Sequence, residues 1–349
     1  MNRREFAGAA GAAMLAFGAR ADDLDDLYTR AIVIDSLSIE TWDAAGFDAA
    51  KRSGYTAIQT SLSNTNFTVA MRDLQAWKAR FDEHPGQLIR YEKAADIRRA
   101  KVEGKLAVML GFQNVTIIES NISNLARLYS AGARCIQLTY NARNLLGDGC
   151  TERTNAGLSD FGIEAVAKMD ELGIIVDLSH CGDQTSADGI AFAKRAPCFT
   201  HTMCQSIHFH PRAKSDALLR AMSNRGGMTG IVALGYFVGP RPDTSVEDYL
   251  NHIDHAVKVC GMEHVGLSTD FNIRGIEPTA TKETWLAPRL REFKASYNVR
   301  WPPWVPELDK PDRFRTVSRG LAKRGYKTAD IEKILGGNWL RYFQEFFGA

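Results

Sequence analysis

Eight short apolar runs, each leading into a longer stretch of helical periodicity, recur along this 349-residue chain, and that alternation calls for a parallel sheet of βα units. The runs lie at 31–37, 55–61, 105–111, 134–139, 173–179, 197–201, 228–234 and 264–270. Amphipathic stretches follow at 66–81, 118–131, 160–172, 185–195, 215–225 and 246–260. Gly104, Gly132, Gly173, Gly227 and Gly261 precede strands where a helix is expected to end on a left-handed residue. Eight such units predict a closed (β/α)8 barrel of the TIM type rather than an open doubly wound sheet. Neither GxGxxG nor GxxxxGK[ST] follows the first run, which removes the usual nucleotide sites.

Two segments depart from the rhythm. Arg3 and Arg4 precede an uncharged, small and apolar run from Ala7 to Gly18, closed by Ala19-Arg20-Ala21. Residues 1–21 are read as a signal peptide of the twin-arginine type, which leaves 22–349 as a single exported, periplasmic barrel domain. No other run approaches the roughly 18 apolar residues that a bilayer span needs, so no transmembrane segment is expected in the mature chain. The second departure, at 277–313, carries Pro278, Pro288, Pro302, Pro303, Pro306 and Pro311 with Trp285, Trp301 and Trp304. It is read as an ordered excursion after the eighth strand, a lid or subunit contact if not a plain surface loop. A last helix begins near Thr328 and is interrupted at Gly336-Gly337-Asn338.

Forty-three basic and 41 acidic residues are dispersed along the chain, so the net charge of +2 forms no face for nucleic acid or an anionic membrane. A small neutral or mixed-charge ligand suits this balance. The six cysteines show no CxxC spacing and are read as buried small hydrophobes, with Cys181 and Cys204 as candidate soft ligands beside two histidines.

Active sites of such barrels form where strands run into their following loops. That rule points to Asp35 and Leu37, Gln59 and Ser61, Gln113, Tyr140 and Asn141, His180, His201, Tyr236 and Asp270. A polar residue that ends an apolar run loses hydration unless it finds a partner, so a ring of them needs a reason. His180 and His201 end consecutive strands, where two imidazoles can converge on one divalent ion. Either alone would pass for a satisfied core histidine, as would His208, His210, His252 and His255. Asp270 is a candidate general base or acid, a metal ligand, or a structural carboxylate capped by loop amides. Arg212 could clamp a substrate carboxylate in bidentate fashion or form a surface salt bridge.

Taken in order, Val176-Asp177-Leu178-Ser179-His180, Phe199-Thr200-His201-Thr202, His210-Pro211-Arg212, Gly266-Leu267-Ser268-Thr269-Asp270-Phe271 and Gly336-Gly337-Asn338-Trp339-Leu340-Arg341 resemble the membrane (renal) dipeptidase family of zinc metallopeptidases. The resemblance implies a metal-dependent, amidohydrolase-like (β/α)8 barrel with a two-zinc site that hydrolyses dipeptides. It also implies that His180 and His201 ligate metal, that Arg212 binds substrate and that Asp270 handles protons. Dimers are common in such a family, so a homodimer is an expectation by analogy.

Three of the usual ligands are missing. Leu37 and Ile39 stand where the family has His-x-Asp, Gln113 stands for a bridging glutamate, and Tyr140 replaces a substrate-contacting histidine. Two divalent cations repel at short range unless a carboxylate bridges them. The expectation is therefore one zinc ion at most, held by His180, His201 and a contribution from Asp270, Asp35, Asp148, Cys150 or Glu152, or another divalent metal, or none. Gln113, Tyr140, Asn141 and Arg212 are expected to bind substrate. The function read from this is a dipeptidase-like metallohydrolase acting on dipeptides or related small amides. The alternative is a metal-independent or non-hydrolytic relative that acts on or binds a peptide-derived molecule.

Overall fold

The computed structural model describes residues 21–277 and 279–348. The expected signal peptide falls almost wholly on residues 1–20, which with Pro278 lie outside the described residues. Eleven strands follow in chain order, namely β1 (Ile34–Asp35), β2 (Ser38–Ile39), β3 (Ala57–Leu62), β4 (Leu88–Arg90), β5 (Leu106–Phe112), β6 (Ala133–Gln137), β7 (Ile175–Asp177), β8 (Cys198–Thr202), β9 (Met228–Val232), β10 (Val265–Ser268) and β11 (Phe271–Asn272). The wall runs β1-β3-β5-β6-β7-β8-β9-β10 with every pairing parallel, and each expected run supplies one of its strands.

The seam between β1 and β10 closes by other means than a regular ladder. The Ser36 N–H donates to the Leu267 carbonyl at 3.2 Å, and beyond it β2 pairs with β11 in parallel, Ser38 opposite Phe271. Asp35, fully buried, accepts from the Thr269 N–H at 2.9 Å, the Thr269 hydroxyl at 2.6 Å and the Leu37 N–H at 3.3 Å. Asp35 is thus a latch between the first and last staves and is not offered to a ligand, contrary to its candidacy as a supplementary metal ligand.

Amphipathic helices cover the wall and end as the sequence predicts in most places. Ser159 caps the helix Asp160–Leu172 by accepting from the Gly162 N–H, and Gly173 ends it at φ 79°. The helix Val246–Cys260 opens with a Ser245/Asp248 capping box and buries Tyr249, Leu250 and Ile253, each contributing roughly 1.5–3 kcal/mol by leaving water. Two details differ. The left-handed residue before β9 is Gly226, whereas Gly227 lacks a positive φ. The helix expected at 118–131 is confined to Asn124–Ala131, because Glu119 turns the chain at φ 57°. The short strand β4, paired to β5 outside the barrel path, was too brief to show as an apolar run.

The lower end of the barrel is filled by Ile34, Ala57, Ala107, Met109, Cys135, Ile175, Cys198 and Met228, with the helix Asn338–Phe347 inserting Trp339, Tyr342 and Phe343 beneath them. Gly266 makes this possible, since a Cβ there would lie 2.3 Å from the Trp339 indole nitrogen. This plug closes the lower end of the barrel interior. All six cysteines are free, as their spacing suggests. Among the described residues no helix is long and apolar enough to cross a membrane.

If the latch holds the seam, Asp35→Ala leaves the buried Thr269 N–H and hydroxyl only their longer contacts to the Leu37 and Phe271 carbonyls, at 3.3–3.4 Å, and lowers unfolding free energy by about 1–3 kcal/mol. Urea denaturation of the variant against the parent protein measures this.

Candidate active site

Two consecutive strand ends bring His180 and His201 together with their Nε2 atoms 2.9 Å apart and ring centroids at 4.9 Å. The outer nitrogens are also engaged. His180 Nδ1 lies 2.7 Å from the Asn141 side-chain oxygen, and His201 Nδ1 lies 2.7 Å from the Thr200 hydroxyl. Below them Asp177 is the hub, accepting from the Thr200 hydroxyl at 2.6 Å, the Ser179 hydroxyl at 2.5 Å, the Thr200 N–H at 3.1 Å and the Ser179 N–H at 3.0 Å. The strand-end rule does not single out Asp177, which lies within β7 rather than at the mouth. The signal was there, in a lone carboxylate inside an apolar run.

Both histidines are buried, and neither lines the opening. The Tyr140 ring stacks on His180 at 4.2 Å and 21°, held there as the chain after β6 folds back and the Cys150 N–H donates to the His180 carbonyl at 2.8 Å. Burial, and after it the Arg212 guanidinium, hold both imidazoles well below their usual pKa, which favours the neutral form of each ring.

Arg212 is sealed in the same layer. Its guanidinium donates to the carbonyls of Ser179 and His201, while its Nε has no partner. Fully buried, it is committed to the backbone that carries the histidines, and it is absent from the opening as both a clamp and a surface salt bridge. His210 orders this turn from outside, accepting from the Arg212 N–H and approaching the Tyr297 carbonyl at 2.7 Å. Lys214, also fully buried, donates to the Cys181 carbonyl and the Ser186 hydroxyl.

Above this layer opens a cavity of about 470 Å³, within the range of small-molecule sites. Gln113, Tyr140, Tyr236 and Asp270 form its floor, and the excursion arches over it through the helix Lys282–Glu292 and Tyr297. The arch is stitched down by the Gly235 N–H to the Pro303 carbonyl at 2.7 Å and by Lys294 to the Thr151 carbonyl at 2.6 Å. Asp270 sits at φ 53°, a conformation rare outside glycine, with a carboxylate that no group among the described residues hydrogen-bonds. Burial raises its pKa to about 7. The Tyr140 and Tyr236 hydroxyls likewise lack partners among the described residues, both rings line the cavity, and burial with the nearby Asp270 charge keeps both hydroxyls protonated.

The membrane dipeptidase family model matches residues 32–291. This chain belongs to that family. A dipeptidase of the fungus Clonostachys rogersoniana is 25% identical over 331 residues, taking in 92% of this chain and 78% of that one. A Schizosaccharomyces pombe protein described as an uncharacterised dipeptidase is 33% identical over 175 residues, 48% of this chain and only 42% of that relative. The solved amidohydrolase from Pseudomonas aeruginosa superposes at a TM-score of 0.84 with 29% identity, covering 93% of this chain and 99% of that one.

The metal centre that the family resemblance implies can be tested against these donors. The two imidazole nitrogens are turned to each other, and among the described residues no group of three His, Cys, Asp or Glu side chains converges. Leu37 is buried and Ile39 lies at the cavity wall, where they add no donor, and Gln113 adds no charge. The supplementary candidates are spent elsewhere. Asp148 is tied to Arg143, Thr154 and the Ala156 N–H, Glu152 caps the Arg143 and Arg153 amides, and Cys204 donates to the His252 carbonyl. Cys181 is enclosed in the apolar core, and the Cys150 thiol lies 3.4 Å from Asn141 Oδ1. The buried cations Arg212 and Lys214 stand beside the pair and oppose a second positive charge. The residues present do not fit a two-metal centre, nor a three-ligand one in this arrangement.

Dialysis of the mature protein against excess zinc, followed by elemental analysis, should therefore leave well under one equivalent bound. The combined Leu37→His, Ile39→Asp and Gln113→Glu substitutions should raise that value.

Proposed function

We propose that this chain hydrolyses dipeptides or similarly small amides in the cell envelope, in the cavity at the barrel mouth. The observation that carries this reading is Asp270, a carboxylate without a hydrogen-bond partner among the described residues, with a pKa raised to about 7 in a cavity that Tyr140 and Tyr236 also line. The ionised Asp270 takes a proton from a water whose oxygen bonds to the amide carbon. Tyr140 and Tyr236 donate hydrogen bonds to the carbonyl oxygen as it gains charge, in the manner of an oxyanion hole. As the carbon–nitrogen bond breaks, Asp270 returns the proton to the leaving amine. The histidine pair, Asn141 and Arg212 position Tyr140 and the loops from beneath, and Gln113 offers an amide to the substrate backbone.

Export to the periplasm rests on Arg3-Arg4 and the apolar run behind them. One observation favours the second reading, a relative that binds or transforms a peptide-derived molecule without hydrolysing it. The donors of the usual metal centre are missing at positions 37, 39 and 113.

Assay of a dipeptide panel separates the two readings, since the second predicts binding without release of amino acids. Asp270→Asn should lower kcat/KM by roughly 10²- to 10⁴-fold. Because the base acts only when ionised, kcat/KM in the parent protein should climb as pH rises and level off above about 7, and acid below that value should suppress it. Changing Arg3 and Arg4 together to Lys should leave the protein in the cytoplasmic fraction, which cell fractionation reads directly.

A further inference from the structure

The arch over the cavity carries two charges to which the proposed chemistry gives no contact with the substrate, although the Arg289 charge lowers the Asp270 pKa against the effect of burial. Arg289 and Glu292 lie one turn apart on the helix Lys282–Glu292, and both line the cavity. Oppositely charged side chains at this spacing commonly pair, yet among the described residues neither of them forms an ion pair with any group. Arg289 is held in place by its own helix. One guanidinium nitrogen donates to the Trp285 carbonyl at 2.8 Å, and the group lies 4.0 Å from the centre of the Trp285 ring, a cation–π contact. Its remaining donors are unclaimed. By contrast Glu277, also at the rim, faces Arg274 at 3.4 Å, and Arg212 is consumed by backbone carbonyls.

We infer that Arg289 and Glu292 are the specificity determinants of the cavity and bind the two ends of a free dipeptide, Arg289 the carboxylate and Glu292 the ammonium group. Side chains at this helical spacing start about 5–6 Å apart. The two ends of a dipeptide are about 7 Å apart at full extension, and a tripeptide adds roughly 3.5 Å. The pair therefore selects length as well as charge, and a peptide blocked at one end loses one contact. The aromatic lining of Tyr140, Tyr236, Phe293 and Tyr297 leaves side-chain identity loosely specified.

This inference rests on the cavity being the substrate site, and binding is measured apart from turnover so that the two can fail separately. In an Asp270→Asn background, affinities for glycylglycine, glycylglycinamide and N-acetylglycylglycine are read by tryptophan fluorescence, with Trp285 as the near reporter. Adding Arg289→Ala should weaken glycylglycine and N-acetylglycylglycine about tenfold or more and leave the amide unchanged, with Arg289→Lys recovering part of the loss. Adding Glu292→Gln should weaken glycylglycine and its amide and leave the acetylated peptide unchanged. Equal losses for all three probes, no losses, or no binding of any probe would overturn the inference. Selective binding without turnover in the Asp270 protein would uphold it and remove hydrolysis, whereas turnover indifferent to Arg289 would do the reverse.

Discussion

A buried hydrogen-bond chain from Asp177 through Thr200, His201 and His180 to Asn141 fixes the upper half of this barrel. It links the ends of β7 and β8 to the loop after β6, and so decides where Tyr140 lies. Every member is buried, and a polar group in that setting costs a few kcal/mol if its partner is lost. Arg212 reinforces the same layer by grasping the carbonyls of Ser179 and His201. The layer beneath the cavity is held by many buried hydrogen bonds, with the Arg212 Nε and Asn141 Nδ2 left over among the described residues.

The charge balance of the mouth follows from that layer. In the family pattern the missing carboxylates would answer two metal ions, whereas here the strand ends near the histidines carry Asp177, consumed by four donors, and Asp270, open to the cavity. Arg212 and Lys214 supply the buried positive charge. Neutral imidazoles are the form that such surroundings favour, because ionising either ring would add positive charge beside Arg212. Reactive capacity has moved upward to Asp270 and the two phenols, one layer nearer the solvent.

Much of the architecture was legible because the apolar period reports directly on which elements form. All eight barrel strands coincide with apolar runs, and the expected helix at 160–172 was right at both ends. The adjacency of His180 and His201 was also legible, since consecutive parallel strands place their ends side by side. What failed was direction. Asp35 was expected at the mouth, but the closing of β1 against β10 turned it to Thr269, 234 residues away. The role of Arg212 depended on which backbone its loop would lie against, and no local pattern encodes that. Arg289 and Glu292 sit in a segment of weak periodicity, and only its fold over the mouth gave them a cavity to line.

The sequence by itself determined the barrel, the order of its staves and the residues standing at their upper ends, because local periodicity and strand order need no knowledge of distant partners. Tertiary structure alone decided that the imidazoles bond to each other beneath Tyr140, that Asp35 and Arg212 are spent on the frame, and that Asp270 is left free. Those outcomes turn on which side chain reaches a donor first when segments far apart in the chain are packed together, and burial makes each choice exclusive.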